Sequence, residues 1–138
     1  MFSHHRPIYL GDTDAAGVLY FGSVFPICHQ AYEASLAAAG VPLASLLQGE
    51  LAVPIVRAEA RFLRPLYCGD VCQVQVLPHS WQEQGFSVEY RLVLEGAESG
   101  DGLAAIATTQ HCCIDPKTRQ RQALPKAMAG WYRRWTAS

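Results

Sequence analysis

The chain has 138 residues, half of them apolar and only 17% charged, with eleven Lys and Arg against twelve Asp and Glu. That is one domain's length with enough apolar material for a core, and it excludes a disordered chain. A net charge of −1 with no basic face argues against a nucleic-acid partner.

The first segment, "MFSHHRPIYL", lacks the apolar core of a signal peptide, and no apolar run reaches the roughly 18 residues of a membrane span. The five cysteines, Cys28, Cys68, Cys72, Cys112 and Cys113, do not form a disulfide framework, so a reducing cytoplasm is the expected location. Residues 4 to 10 read as a short strand. In "IYLGDTDAAGVLYFG", residues 8 to 22, this strand gives way to two aspartates, Asp12 and Asp14, and to Gly17.

A helix follows in "SVFPICHQAYEASLAAAG", with Phe25, Cys28, Tyr32, Leu36 and Ala39 at steps of three and four. Pro26 is tolerated in its first turn, and Gly40 with Pro42 stops it. The helix is apolar on more than one stripe, which predicts substantial burial.

From residue 52 the period changes to two. "VRAEARF" puts Val56, Ala58, Ala60 and Phe62 opposite Arg57, Glu59 and Arg61. "DVCQVQV" and "FSVEYRLVL" alternate in the same way, the latter with Phe86, Val88, Tyr90, Leu92 and Leu94 on one face. "LAAIATTQHCCI" is apolar on both faces, as in a covered central strand. Turns are expected at "RPLYCGD", "PHSWQEQG" and "EGAESGDG", and "PKAMAGWYRRW" reads as a last short helix. Short connections predict mostly antiparallel neighbours. The order predicts a single α+β domain over residues 1–138, its antiparallel sheet wrapped around one long helix.

Two readings of the aspartate stretch stand side by side. Asp and Thr before Gly favour Asx-turns and helix caps. Alternatively, a carboxylate just upstream of a helix N-terminus can attack, or direct water at, a carbonyl whose developing oxyanion the helix end receives. His29 and Glu33 share a helical face, but without CxxC or HExxH a packed histidine or a structural pair is the simpler reading than zinc. Cys28 and His29 are adjacent and point about 100° apart, so they form no nucleophile–base dyad. Cys112 and Cys113 read as packing residues. Arg57 and Arg61 form a polar strand face that either meets solvent or contacts an anion, and Arg119 and Arg121 sit in an exposed turn.

Together, "IYLGDTDAAGVLYF", "CHQAYEASLAAAGVP", "RFLRPLYCGD" and "TTQHCCID" resemble the hotdog-fold thioesterases of the 4-hydroxybenzoyl-CoA type over nearly the whole chain. Within that family, "YLGDTDAAGVLYF", "CHQAYE" and "LAVPIV" are most similar to the 1,4-dihydroxy-2-naphthoyl-CoA hydrolases of phylloquinone biosynthesis. The resemblance implies hydrolysis of an aromatic acyl-CoA thioester without metal or organic cofactor. It places the catalytic carboxylate, nucleophile or general base, on Asp14 and the carbonyl-polarising N–H on Phe21. Gly17, Tyr20, His29 and Arg57 are the expected substrate-binding residues, with Gly17 leaving room for the thioester and Asp12 shaping the loop.

The position that carries a carboxylate toward the ring hydroxyl in the hydroxybenzoyl enzymes is His29 here. Basic residues that hold CoA phosphates in some relatives fall on Gln82 and Glu83, which leaves Arg119 or Arg121 for that task. The family also implies a homo-oligomer, dimer or tetramer. The alternatives are a 4-hydroxybenzoyl-CoA-like or general acyl-CoA or acyl-carrier-protein thioesterase, a non-catalytic acyl-binding or scaffold protein, and a hydratase, whose usual histidine motif has no counterpart here.

Overall fold

A computed structural model describes residues 1–98, 100 and 102–137. Its elements in chain order are β1 (Phe2–Pro7), a 3-10 turn (Leu10–Asp12), a second 3-10 turn (Phe21–Ser23) leading into α1 (Val24–Ala38), and α2 (Leu43–Leu47). The strands β2 (Ile55–Phe62), β3 (Val71–Gln82), β4 (Gly85–Leu94) and β5 (Leu103–Cys112) follow, then α3 (Lys126–Thr136). The five strands form one sheet in the order β1-β3-β4-β5-β2, every neighbour antiparallel. This is the expected α+β hotdog arrangement, with α1 held against the inner face of the sheet.

Helix α1 buries Val24, Ile27, Cys28, Ala31, Tyr32, Ser35 and Leu36. That is one broad stripe rather than several, and it differs from the expected set. Phe25 and Ala39 are only half-buried, while Pro26, His29, Gln30 and Glu33 are exposed. The stripe meets Val74 and Val76 of β3 and Val88, Tyr90 and Leu92 of β4 in one core. Fully burying an aliphatic side chain such as Leu36 contributes roughly 1.5–3 kcal/mol.

The last helix seals the open end. Trp131 is fully buried and sets its edge on the Tyr32 ring, centroids 5.6 Å apart at 89°. Its indole N–H donates to the Ser35 hydroxyl at 2.9 Å, and the Trp135 N–H donates to the Ser35 carbonyl at 3.0 Å. One small residue of α1 thus satisfies both tryptophans, whose buried N–H groups would otherwise be costly.

Four features depart from expectation. The first strand ends at Pro7, and Leu10 begins a 3-10 turn because Asp12 draws the Tyr9 N–H back onto its Oδ2 at 2.8 Å. Helix α2 was not foreseen. Five residues, "LASLL", are too few to show a helical period. Strand β2 does not lie beside β3, which follows it in sequence, but crosses to the far edge and pairs with β5. There its alternating apolar residues stay in the open: Val56 is 50% and Phe62 51% exposed. The turn "EGAESGDG" joins β4 to β5, with Ser99 and Asp101 outside the described residues.

Candidate active site

The loop between β1 and α1 is built around Asp12. Arg6, at the end of β1, sends Nη1 to Asp12 Oδ2 at 2.6 Å and Nη2 to Oδ1 at 3.1 Å, while its Nε donates to Gln30 of α1 at 2.9 Å. Arg6 also donates to the Pro7 carbonyl. The guanidinium beside it holds the Asp12 carboxyl below its ordinary range, partial burial opposes this, and the Tyr9 N–H adds to the lowering. The cause is therefore Arg6 and not the neighbouring Asp14. Strand, loop and helix are tied at one ion pair, which is the loop-shaping role expected of Asp12.

Asp14 is exposed. Its Oδ1 accepts the backbone N–H groups of Ala16 at 2.9 Å and Val18 at 3.1 Å, and its own N–H donates to the Val18 carbonyl at 2.8 Å. Oδ2 has no hydrogen-bond partner among the described residues. One oxygen thus orients the carboxylate and the other is left without a partner among the described residues. Gly17 closes this turn at φ +77°, a conformation that L side chains rarely adopt. A Cβ there would meet nothing within 4 Å. The turn therefore already accounts for the glycine without the steric argument from an approaching thioester.

The loop is pinned to the segment after β2, with Leu19 N–H on the Leu66 carbonyl at 2.7 Å and Cys68 N–H on the Gly17 carbonyl at 3.0 Å. Phe21 opens the 3-10 turn that becomes α1, and no backbone carbonyl among the described residues accepts its N–H. Free N–H groups at a helix start carry partial positive charge. Asp14, Tyr20 and Phe21 line one open cavity of about 600 Å³, walled opposite by residues 62–66. The Tyr20 ring lies over Gly22, where a Cβ would sit 2.7 Å from its Cε2.

One to two turns along α1, Phe25, Pro26 and His29 border a second cavity of about 360 Å³, closed by Ile55 and Ala58 of β2, Tyr90 of β4 and Thr109 of β5. His29 also borders a third cavity of about 720 Å³ beneath α2. It is exposed, makes no ion pair with Glu33 and stacks on Tyr32, centroids 5.8 Å apart. Neither the packed histidine nor the structural pair is formed. Cys28 faces the core, where burial pushes its thiol up to about 12.

Arg57 lies on the opposite face of the sheet, 3.3 Å from Glu59, beside Ser87 and Gln110. Within one chain it is not brought to Asp14, Phe21 or His29. Arg121 shares a polar cavity of about 320 Å³ with Ser80, Gln82 and Gln84 of the β3–β4 hairpin, while Arg119 stands in the following exposed turn at φ +66°.

Two groups of residues escaped the sequence reading. Arg6 was the unseen partner of Asp12. The other group is buried: Thr109 Oγ1 lies 3.2 Å from the Tyr90 hydroxyl and 2.8 Å from His111 Nε2. The available signal was polar side chains at core-facing positions of β5, in phase with Ala105 and Ala107.

A residue with one unpartnered carboxylate oxygen and a residue with an unpartnered N–H at a helix start line one cavity, an arrangement of groups that acyl transfer can use. Comparison with known proteins agrees. The profile of the Thioesterase-like superfamily matches residues 8–132. A 1,4-dihydroxy-2-naphthoyl-CoA hydrolase of Acaryochloris marina is 42% identical over 132 residues, 95% of each chain. That of Gloeothece citriformis is 43% identical over 135 residues, covering 97% of this chain and 93% of the other. The crystal structure of a 1,4-dihydroxy-2-naphthoyl-CoA thioesterase from Synechocystis superposes with a TM-score of 0.87 at 32% identity, covering 95% of this chain and 94% of that one. The chain belongs to the thioesterase-like superfamily.

Proposed function

We propose that this protein hydrolyses 1,4-dihydroxy-2-naphthoyl-CoA to 1,4-dihydroxy-2-naphthoate and CoA, as a step of phylloquinone biosynthesis. The observation that carries the reading is that Asp14, with Oδ2 unpartnered, and Phe21, with its backbone N–H unpartnered, line the same cavity. The names of the full-length relatives supply the acyl group.

In the reaction the thioester carbonyl oxygen takes the Phe21 N–H, and the helix end stabilises the oxyanion as it forms. Asp14 Oδ2 acts in one of two ways. As general base it takes a proton from water, whose oxygen attacks the carbonyl carbon. As nucleophile it forms an acyl-aspartate anhydride that water then opens. In both courses the C–S bond breaks, the thiolate leaves and is protonated, and one water is consumed. Tyr20 and Gly17 border the entry of the thioester, and His29 contacts the aryl group from the helix side. The polar cavity at Arg121 suits the CoA phosphates better than Gln82 or Glu83 alone.

Thiol release from 1,4-dihydroxy-2-naphthoyl-CoA, 4-hydroxybenzoyl-CoA and a straight-chain acyl-CoA tests the reading. A strong preference for the naphthoyl ester is expected. Comparable rates on all three would leave a general thioesterase, and no release from any would favour an acyl-binding protein.

The working unit in this reading is a homo-oligomer in the cytoplasm, where the unpaired state of all five cysteines is at home. The exposed apolar edge strand β2, ending in Phe62 and followed by Leu63 at the cavity wall, supports self-association. Light scattering should return two or four times the 15.1 kDa of one chain; the mass of a single chain would overturn this part of the reading.

A further inference from the structure

The second cavity is apolar except at two places. His29 stands at its helix side, and the Tyr90 and Thr109 hydroxyls belong to the sheet beneath it. These hydroxyls begin a buried chain, Tyr90–Thr109–His111, linked at 3.2 and 2.8 Å, with Tyr90 fully buried under the cavity wall. All three side chains are buried, and the other ring nitrogen of His111, Nδ1, has no hydrogen-bond partner. Such a chain of polar groups in a core is costly unless it is satisfied.

Besides that Nδ1, its proton bookkeeping leaves one vacancy, at Tyr90. If His111 carries its proton on Nε2, it donates to Thr109, Thr109 donates to Tyr90, and the Tyr90 proton has no acceptor. If the proton sits on Nδ1, every bond reverses, Tyr90 donates inward, and its oxygen is left with free lone pairs. Among the described residues nothing fills either vacancy. A ligand hydroxyl fills both, because it donates and accepts. A purely apolar ligand fills neither.

We propose that Tyr90, backed by Thr109 and His111, is the specificity residue that recognises a ring hydroxyl of the aryl group on the side remote from the thioester. This deepens the hydrolase reading above and rests on it. Phe25, which borders the second cavity, lies one turn beyond Phe21, about 6 Å along the helix, and a ring hydroxyl meta to the thioester sits about 5 Å from the carbonyl carbon, so a carbonyl held at the Phe21 N–H sets that hydroxyl at the level of Phe25. The 1-hydroxyl of the naphthoyl group adjoins the thioester and stays near Asp14, so the 4-hydroxyl is the one that enters the second cavity. Burial keeps the Tyr90 phenol protonated by raising its pKa. It also lowers His111 to about 4, so the chain is uncharged near neutral pH.

The test compares kcat/KM for 1,4-dihydroxy-2-naphthoyl-CoA and 1-hydroxy-2-naphthoyl-CoA in the parent protein, Tyr90→Phe and Thr109→Val. The same comparison is made on binding of the two free naphthoic acids by calorimetry. In the parent the 4-hydroxyl should be favoured. Tyr90→Phe, which keeps the ring, should cut that preference by about tenfold, chiefly through KM, and Thr109→Val by less. A parent indifferent to the 4-hydroxyl, or a preference that survives in Tyr90→Phe, would overturn the proposal while leaving the thioesterase standing. No turnover of either ester would sink the hydrolase reading instead, and the binding ratio of the acids would then decide the hydroxyl contact.

Discussion

Asp14→Asn should lower kcat for the naphthoyl thioester by about 10²–10⁴-fold, the usual contribution of a positioned base, and by more if the carboxylate attacks directly. The substitution is a clean one because the turn holds only one of the two Asp14 oxygens. Asparagine keeps an Oδ1 to accept the Ala16 and Val18 N–H groups, so the turn survives. It replaces the free Oδ2 with an amide that can neither attack nor take a proton from water. Urea unfolding should therefore be unchanged while turnover is lost. Asp14→Ala removes both functions and should loosen the loop as well. A near-normal kcat in Asp14→Asn would remove this residue from the chemistry.

The second large effect is on stability. Asp12→Asn removes one partner of the Arg6 pair and leaves a guanidinium with 10% side-chain exposure facing a neutral amide. Breaking a well-buried pair in this way costs about 3–5 kcal/mol, and the residual exposure here brings the expectation to roughly 2–4 kcal/mol. The pH dependence follows from the direction of the shift. Arg6 depresses the Asp12 pKa in the folded protein below its ordinary 3.8, so the unfolded chain takes up this proton first as pH falls. The stabilisation is full well above pH 3.8 and is lost as pH drops through the folded value. Urea midpoints from pH 7 to pH 2 should fall less steeply at the acid end in Asp12→Asn than in the parent. Parallel curves with equal midpoints at pH 7 would show the pair to be idle.

How much of this was legible in the sequence depended on the range of the interaction. Helix α1 and the alternation in β3 and β4 were readable because propensity, spacing and stop signals are local. The far-edge position of β2 was not. Nothing in "VRAEARF" states which strand it pairs with, and alternation predicts a buried face even where an edge strand leaves it bare. The site divides in the same way. Asp14 and the helix start share one short stretch, but that stretch alone favours a capped turn, and Phe21 is singled out only by the family resemblance. Arg6 was invisible as Asp12's partner because a strand arginine is ordinarily solvated. His111 was passed over for the two cysteines beside it, and the Tyr90–Thr109 contact joins residues 19 positions apart on neighbouring strands.

The strand order also bears on how the molecule assembles and breathes. β3, β4 and β5 form a meander of local pairings, whereas β1 pairs with β3 and β2 with β5 across far longer stretches of chain. Long loops are closed at an entropic cost before their contacts reward it, so the meander is the natural nucleus and the two edges dock afterwards. The Asp14 loop hangs from β1, and the facing wall at residues 62–66 hangs from β2. Both halves of the site therefore belong to the late, outer part of the fold. Amide exchange should therefore come first at this rim and last in the meander, leaving the core that holds the molecule together undisturbed when the site opens.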